Sequence, residues 1–152
     1  MEYIQKPVER DIYPYEYESA SNSYLMCVVS VIAGLPLPII NVIASVGYYM
    51  AQRKSSYFVR WHCIQAILAQ AIMVPFNSVA FGWTLGIIIS DRQPTLFYGI
   101  YLFIIILLNI VEFVTVIITA IRVRNGHNMR WAVIADLTDS LCSKEERDPY
   151  RI

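Results

Sequence analysis

The sequence predicts an all-α integral membrane protein, on the grounds of its apolar composition and three long apolar segments. Apolar residues make up 57% of the 152 residues and charged residues only 16%, against about 25% in an average soluble domain. The mean hydropathy is +0.47. Because a soluble chain of this size buries only about 68% of its surface, it could not hide so many apolar side chains from water.

Polar tails flank the apolar part of the chain. We divide the sequence into a polar N-terminal arm (1–23), a helical membrane domain (24–122) and a polar tail (123–152). In the arm, Tyr13, Tyr15 and Tyr17 alternate with other residues, which is typical of an extended segment laid on a partner. A disordered tail is the alternative. The arm lacks the pattern of a secretory signal peptide.

The first apolar segment, residues 24–50, is long enough for a hydrocarbon core of about 30 Å. Gly34, Pro36 and Pro38 interrupt it, and proline removes a helical hydrogen bond. The segment is therefore either one sharply kinked span or two short arms folded as a re-entrant hairpin.

The second segment, Tyr57–Ile89, would be about 50 Å long as a helix. We expect Pro75 to divide it, with residues 57–70 running along the interface and the remainder crossing the membrane. The third segment, residues 95–121, has few helix breakers. The chain thus has three or four membrane helices, with the first and second segments broken by proline.

Basic residues near the span ends predict the orientation. The loop with Arg53 and Lys54 and the tail that starts at Arg122 are basic, which places both in the cytoplasm. The N-terminal arm has no basic residue close to the first span, which favours the outside, although a re-entrant hairpin would leave it inside. The predicted aromatic belt of the basic side consists of Tyr48, Tyr49, Tyr57 and Trp61.

Glu112 is the costliest residue to insert, since it lies near the midplane, where a carboxylate costs about 2.5–3.5 kcal/mol. It shares a helical face with other polar residues of the third segment. A hydrogen-bonded carboxyl that joins helices is one interpretation, and a proton or ion relay is the other. The predicted helix-packing layer consists of Asn41, Gln70, Asn77, Asn109, Glu112 and Thr119.

Four residues at the start of the second segment share one helical face, and we call them the seam. Phe58, His62, Gln65 and Ala69 are spaced by four, three and four residues, which places them on one helical face. Arg60 points away from this seam and is expected to snorkel to the headgroups. The seam is interpreted as an interface anchor, with a pH-sensitive partner site as the alternative.

No pattern of a reactive centre stands out. Cys27, Cys63 and Cys142 show no paired spacing, and His62 and Cys63 are adjacent and so point apart, which argues against a metal site. No phosphate-binding glycine loop and no catalytic constellation occur, so we predict neither an enzyme nor a cofactor. The zero net charge argues against nucleic-acid binding, and no small-molecule substrate can be identified.

Residues 56–66 read Ser-Tyr-Phe-Val-Arg-Trp-His-Cys-Ile-Gln-Ala. This stretch resembles the signature Phe-Val-Arg-Phe-His-x-x-Gln-Ala, which opens the second helix in a family of small bacterial membrane proteins of unknown function. That family is related to the twenty-kilodalton Tic subunit of the chloroplast inner-envelope translocon. The residues that carry the resemblance are Phe58, Arg60, His62 and Gln65, while Trp61 stands where phenylalanine is usual. Residues 121–126, Ile-Arg-Val-Arg-Asn-Gly, are similar to the end of the family's last helix.

The resemblance implies a helical protein of the bacterial inner membrane, or of the plastid inner envelope, that works with partners. We therefore expect a non-enzymatic subunit of a membrane complex, in protein translocation or envelope assembly, with other membrane subunits and lipid as partners. A small homo-oligomeric channel or transporter that uses Glu112 is the alternative.

Overall fold

The computed structural model describes residues 11–34 and 39–142. All regular structure within those ranges is helical, which confirms the predicted all-α class. The helices are α1 (Pro14–Gly34), α2 (Ile40–Ala51), α3 (Tyr57–Ile89), α4 (Leu96–Arg124) and α5 (Ala135–Leu141).

Helix α1 begins inside the predicted polar arm. Pro14 occupies the first helical position, where its missing N–H costs nothing. The Glu16 carboxylate accepts a hydrogen bond from the Tyr13 backbone N–H at 2.8 Å, as in a capping box. The extended conformation predicted for this stretch is therefore wrong, since Tyr15 and Tyr17 are helical.

The first apolar segment is divided between two antiparallel helices, α1 and α2, rather than forming a single kinked span. The Tyr48 hydroxyl donates to the Ser19 carbonyl at 2.9 Å. Further along, the Cys27 sulfur lies 3.4 Å from the Ser45 hydroxyl oxygen. The two prolines expected to cause the break fall at positions 36 and 38, outside the described residues.

Helix α3 runs without interruption through Pro75, so the predicted division of the second segment is wrong. A proline removes one helical hydrogen bond, whereas a break within lipid would leave several backbone groups unsatisfied. The neighbouring Phe76 carbonyl accepts a hydrogen bond from the Tyr101 hydroxyl at 3.0 Å. The facing helix thus satisfies backbone next to the proline.

Helix α4 returns antiparallel to α3 and ends at a left-handed glycine. The Thr95 hydroxyl caps its N-terminus by accepting from the Tyr98 N–H at 3.3 Å. Gly126 has a φ of 89°, and the His127 N–H donates back to the Arg122 carbonyl. This motif turns the chain towards α3.

Two helices, α3 and α4, are long and apolar enough to cross a membrane by length and composition. Helix α2 is apolar but has only 12 residues, too few for a core that needs about 20. The structure therefore supports two candidate spans rather than the predicted three or four.

The core lies where α1, α3 and α4 meet. Small residues allow the three backbones to approach closely, and Tyr24 fills the space beside them. The buried members of this core are Ala20, Tyr24, Cys27, Ala66, Val116, Ala120 and Val123.

One end of the bundle gathers the basic residues, and we call it the basic end. The loop between α2 and α3 and the chain after α4 both lie there, as predicted, since Trp61 contacts Asp139. The start of α1 lies there too, because Glu18 forms an ion pair with Arg124 at 3.5 Å. The opposite-side placement favoured for the N-terminal arm is therefore wrong for its described part.

Candidate functional site

Gln65 is the centre of a buried polar cluster at the basic end. Its side chain is fully buried. The Trp131 backbone N–H donates to Gln65 Oε1 at 3.0 Å, which fixes the orientation of the amide. Gln65 Nε2 then donates to the Met129 carbonyl at 3.0 Å and to the Tyr24 hydroxyl at 2.7 Å. One side chain thereby joins α1, α3 and the segment after α4.

The Tyr24 hydroxyl continues this cluster to His62. Because its oxygen accepts from Gln65, its proton is available to His62 Nδ1, 2.9 Å away. The ring of His62 makes edge contacts with Tyr24, Phe58 and Trp61, at centroid distances of 5.8, 4.5 and 5.1 Å. His62 Nε2 has no hydrogen-bond partner among the described residues. A neutral imidazole with its proton on Nε2 fits this arrangement.

The indole of Trp131 closes the cluster over α4. Its Nε1–H donates to the Thr119 hydroxyl at 3.0 Å, and that hydroxyl donates to the Thr115 carbonyl at 2.8 Å. Thr119, predicted as part of the helix-packing layer, therefore lies at the basic end. We call Tyr24, His62, Gln65, Thr119 and Trp131 the polar clamp.

Helix α5 is held against α3 by a separate set of contacts. The Trp61 indole N–H donates to Asp139 at 2.6 Å, and Asp139 also pairs with Arg130. The Arg130 guanidinium lies 4.8 Å from the centre of the Trp61 ring. Trp61 is only 3% exposed, so its predicted place in a lipid-facing aromatic belt is wrong.

Arg60 is buried rather than snorkelling. It is 2% exposed, and its Nε–H donates to the Ser55 carbonyl at 3.1 Å. Burial raises the pKa of the Cys142 thiol after α5, and the Arg60 charge acts against that rise. The helical periodicity placed Arg60 correctly away from the seam, but it could not reveal that α5 folds back near this face.

Glu112 meets one amide from α3. Gln70 Nε2 donates to Glu112 Oε1 at 2.7 Å. Both side chains line a cleft of about 30 Å³ between α1, α3 and α4, together with Cys27, Asn109 and apolar neighbours. This volume is enough for about one water molecule. The carboxyl is therefore held between helices rather than exposed in a wide channel.

A second pair of polar side chains, both of them amides, lies further from the basic end. Asn77 and Asn109 exchange two hydrogen bonds, at 3.1 and 2.8 Å. Beyond it, Thr84 and Tyr98 bring their hydroxyl oxygens to 2.9 Å. Together with Gln70–Glu112, these pairs form what we call the α3–α4 ladder, in which Tyr98, Asn109 and Glu112 of α4 each face a polar group on α3.

Asn41 does not reach the ladder. It lies in the first turn of α2, which packs against α1 and α3 and makes no contact with α4 in the described residues. Its Oδ1 is buried and without a hydrogen-bond partner there. The predicted meeting of Asn41 with Glu112 is therefore wrong, because α1 and α3 separate α2 from α4.

Several residues of these clusters carry no local signal in the sequence. Tyr24 stands at the border of the first apolar segment, and Trp131 lies in the polar tail, where no local pattern marks either as part of a cluster. Asp139 and Ser45 were not singled out at all. Tyr24 and Trp131 could have been found from their chemistry, because a phenol or an indole that is buried next to polar residues needs a hydrogen-bond partner.

Metal-ligating groups are dispersed in the described ranges. No three His, Cys, Asp or Glu side chains come together there as a metal site would require. The three cysteine side chains are buried and form no disulfide within the described residues.

A family model matches residues 20–138, more than three-quarters of the chain. It describes the magnetosome magnetite crystal formation proteins. No curated protein and no solved structure matches the chain. The resemblance to the family related to the chloroplast translocon subunit is therefore wrong, and a role in protein transport has no support. The motif behind it serves packing here, since Phe58, His62 and Gln65 touch the polar clamp or belong to it. The chain belongs to the MamF/MmsF family of magnetosome membrane proteins, which is involved in magnetite crystal formation.

Proposed function

We propose that this protein is a non-enzymatic subunit of a protein complex in the magnetosome membrane. There it supports magnetite crystal formation together with other membrane proteins. The family match over residues 20–138 is the observation that carries the proposal. Two long apolar helices support a membrane location.

The use of the buried polar groups supports a structural rather than a catalytic role. The three hydrogen bonds of the Gln65 side chain connect it to helix α1 and to the chain after α4. Glu112 faces an amide, and the hydroxyl that His62 meets within the described residues is the Tyr24 phenol. Nucleophilic catalysis needs a nucleophile activated by an adjacent base, whereas these contacts connect helices.

Partners for such a subunit are other membrane proteins and lipid. Beyond the hairpin, the outer surfaces of α3 and α4 are almost wholly apolar. Large side chains exposed there include Ile88, Ile89, Phe97, Phe103, Leu107 and Ile110. Lipid tails or the helices of partner subunits suit this surface.

A small homo-oligomeric channel or transporter that uses Glu112 is the second candidate. The cleft beside Glu112 favours it, because Cys27, Gln70 and Asn109 add polar groups around one carboxyl. Ionisable residues at membrane depth often mark ion pathways.

The test is to delete the gene in its host and to measure the size and number of magnetite crystals by electron microscopy. We expect altered crystal size or number, restored by the intact gene, and unchanged crystals would contradict the proposal. Purification from magnetosome membranes in mild detergent then separates the two candidates. Stoichiometric partner proteins support the subunit, whereas a homo-oligomer that conducts ions in vesicles supports the channel.

A further inference from the structure

The α1–α2 hairpin and the α3–α4 pair differ in length along the bundle. Helix α2 has 12 residues, or about 18 Å at 1.5 Å per residue. Helices α3 and α4 have 33 and 29 residues, or about 50 and 44 Å on the same scale. Both arms of the hairpin start or finish at the basic end, where Tyr48 contacts Ser19.

The register between α1 and α3 shows how deep the hairpin reaches. Cys27 lies beside Ala66, with its sulfur 4.0 Å from the Ala66 carbonyl, and α1 runs parallel to α3. From Cys27, α1 continues to Gly34, a further distance of about 10 Å. From the same level, α3 continues to Ile89, about 34 Å. Helix α1 therefore ends about 24 Å short of the far end of α3.

The outer face of α2 indicates that the hairpin lies in lipid rather than in water. Ile39, Ile43, Val46 and Met50 are spaced by four, three and four residues, so they form one helical stripe. All four are exposed, with exposed fractions between 36% and 61%. Such a stripe is favourable against acyl chains and costly in water. Since α2 cannot span about 30 Å of hydrocarbon, it must stop inside the bilayer.

The cross-section of the protein therefore changes across the bilayer. Towards the basic end, helices α1, α2, α3 and α4 pack together. Beyond the hairpin, the described chain consists of α3 and α4 alone, joined by the Asn77–Asn109 and Thr84–Tyr98 pairs. Four helices occupy more area in one leaflet than two occupy in the other. We propose that the protein is a membrane wedge that prefers, and promotes, bilayers curved with the basic-end leaflet on the convex side.

This function does not depend on the proposed role in crystal formation, because it concerns only the protein and lipid. The first measurement is the depth of the hairpin in vesicles, with the full chain carrying a fluorophore at Ile39→Cys. We expect strong quenching of this fluorophore by nitroxides near the bilayer centre, and no reaction of the unlabelled Ile39→Cys thiol with a membrane-impermeant thiol reagent. Reaction from either side of the bilayer would overturn the proposal. Asp91→Cys, in the loop beyond α3, is the control. Its unlabelled thiol should react with the impermeant reagent added on the side opposite the basic end.

The second measurement is protein density on single vesicles of mixed size. We expect a several-fold higher density per area on vesicles of about 50 nm than on vesicles of about 400 nm, in the manner of curvature-sensitive helices. Ile43→Lys places a charge on the lipid face of α2 and should lift the hairpin to the interface, which removes the enrichment. Ile43→Leu is the matched control and should keep it. Equal density on both vesicle sizes, with Ile39 at mid-depth, would overturn the curvature preference.

Discussion

At the scale of single residues, buried polar side chains determine how the helices are paired. Gln65 uses both amide hydrogens and its oxygen, and these contacts reach helix α1 and the segment after α4. Glu112 instead makes one side-chain hydrogen bond within the described residues, with Gln70. Loss of a buried partner leaves the remaining group unsatisfied, so the number of contacts sets the expected effect of a substitution.

Gln65→Leu should destabilise the bundle strongly. The change leaves the Trp131 N–H, the Met129 carbonyl and the Tyr24 hydroxyl without this partner, at about 1–3 kcal/mol for each group that stays unsatisfied. The measurement is the thermal unfolding midpoint in detergent. Gln93→Leu, in the exposed loop between α3 and α4, is the control and should leave the midpoint unchanged. An equal midpoint for the two variants would contradict the central role of Gln65.

Glu112→Gln should be tolerated, because the amide keeps a hydrogen-bond acceptor for Gln70. Glu112→Leu should loosen the α3–α4 contact by about 0.6–2 kcal/mol. Folding yield and restoration of magnetite crystals are measured for both variants. If Gln abolished function at a normal folding yield, Glu112 would act as a proton or ion carrier and the channel would be the better proposal.

At the scale of elements, short segments outside the long helices hold the basic end together. Helix α5 has seven residues, too few for stability on its own, and it depends on contacts from Asp139. Helix α1 similarly depends on α4, where the Ser21 hydroxyl donates to the Ala120 carbonyl at 2.9 Å. Of these elements, the short helix α5 is therefore the one most easily released by a single substitution.

Asp139→Ala should release α5 from α3. The substitution removes the acceptor for the Trp61 indole and the ion pair with Arg130. Limited trypsin digestion of the protein in detergent should then cut after Arg130 several times faster. Asp136→Ala changes an exposed acid on the same helix and serves as the control. Identical cleavage rates would show that α5 is held by its apolar contacts instead.

At the scale of the whole molecule, the bundle is asymmetric from end to end. The basic end carries the start of α1, the loop before α3, and α5, whereas the described far end carries only the loop between α3 and α4. This arrangement predicts which positions share one side of the membrane.

Cysteines introduced at Asp11, Lys54 and Asp136 should react with an impermeant thiol reagent from one side, and a cysteine at Asp91 from the other. The native cysteines are buried, and burial raises the pKa of the Cys142 thiol, so they should react slowly. Labelling is measured in sealed vesicles before and after permeabilisation. Reaction of Asp11→Cys together with Asp91→Cys would contradict the hairpin.

The sequence by itself determined the class of this protein. Apolar length and composition predicted helices and a membrane location, and the spacing of Asn109 and Glu112 predicted a polar stripe on α4. The residues at the start of α1 also carry a local helix signal, with Pro14 at the first helical position and Glu16 as the capping acid. The division of the chain into a polar arm and a membrane domain did not use this signal. These properties are readable because helical periodicity and capping depend on residues close together in the chain.

Only the tertiary structure decided which polar groups meet. Gln65 lies 41 residues from Tyr24 and 66 from Trp131, and no periodicity links positions so far apart. The same holds for Trp61 and Arg60, which look like interface residues until α5 folds back beside them. Asn41 failed as a partner of Glu112 because equal depth in a membrane does not imply contact when other helices stand between. Packing between distant segments, rather than local pattern, determined these contacts.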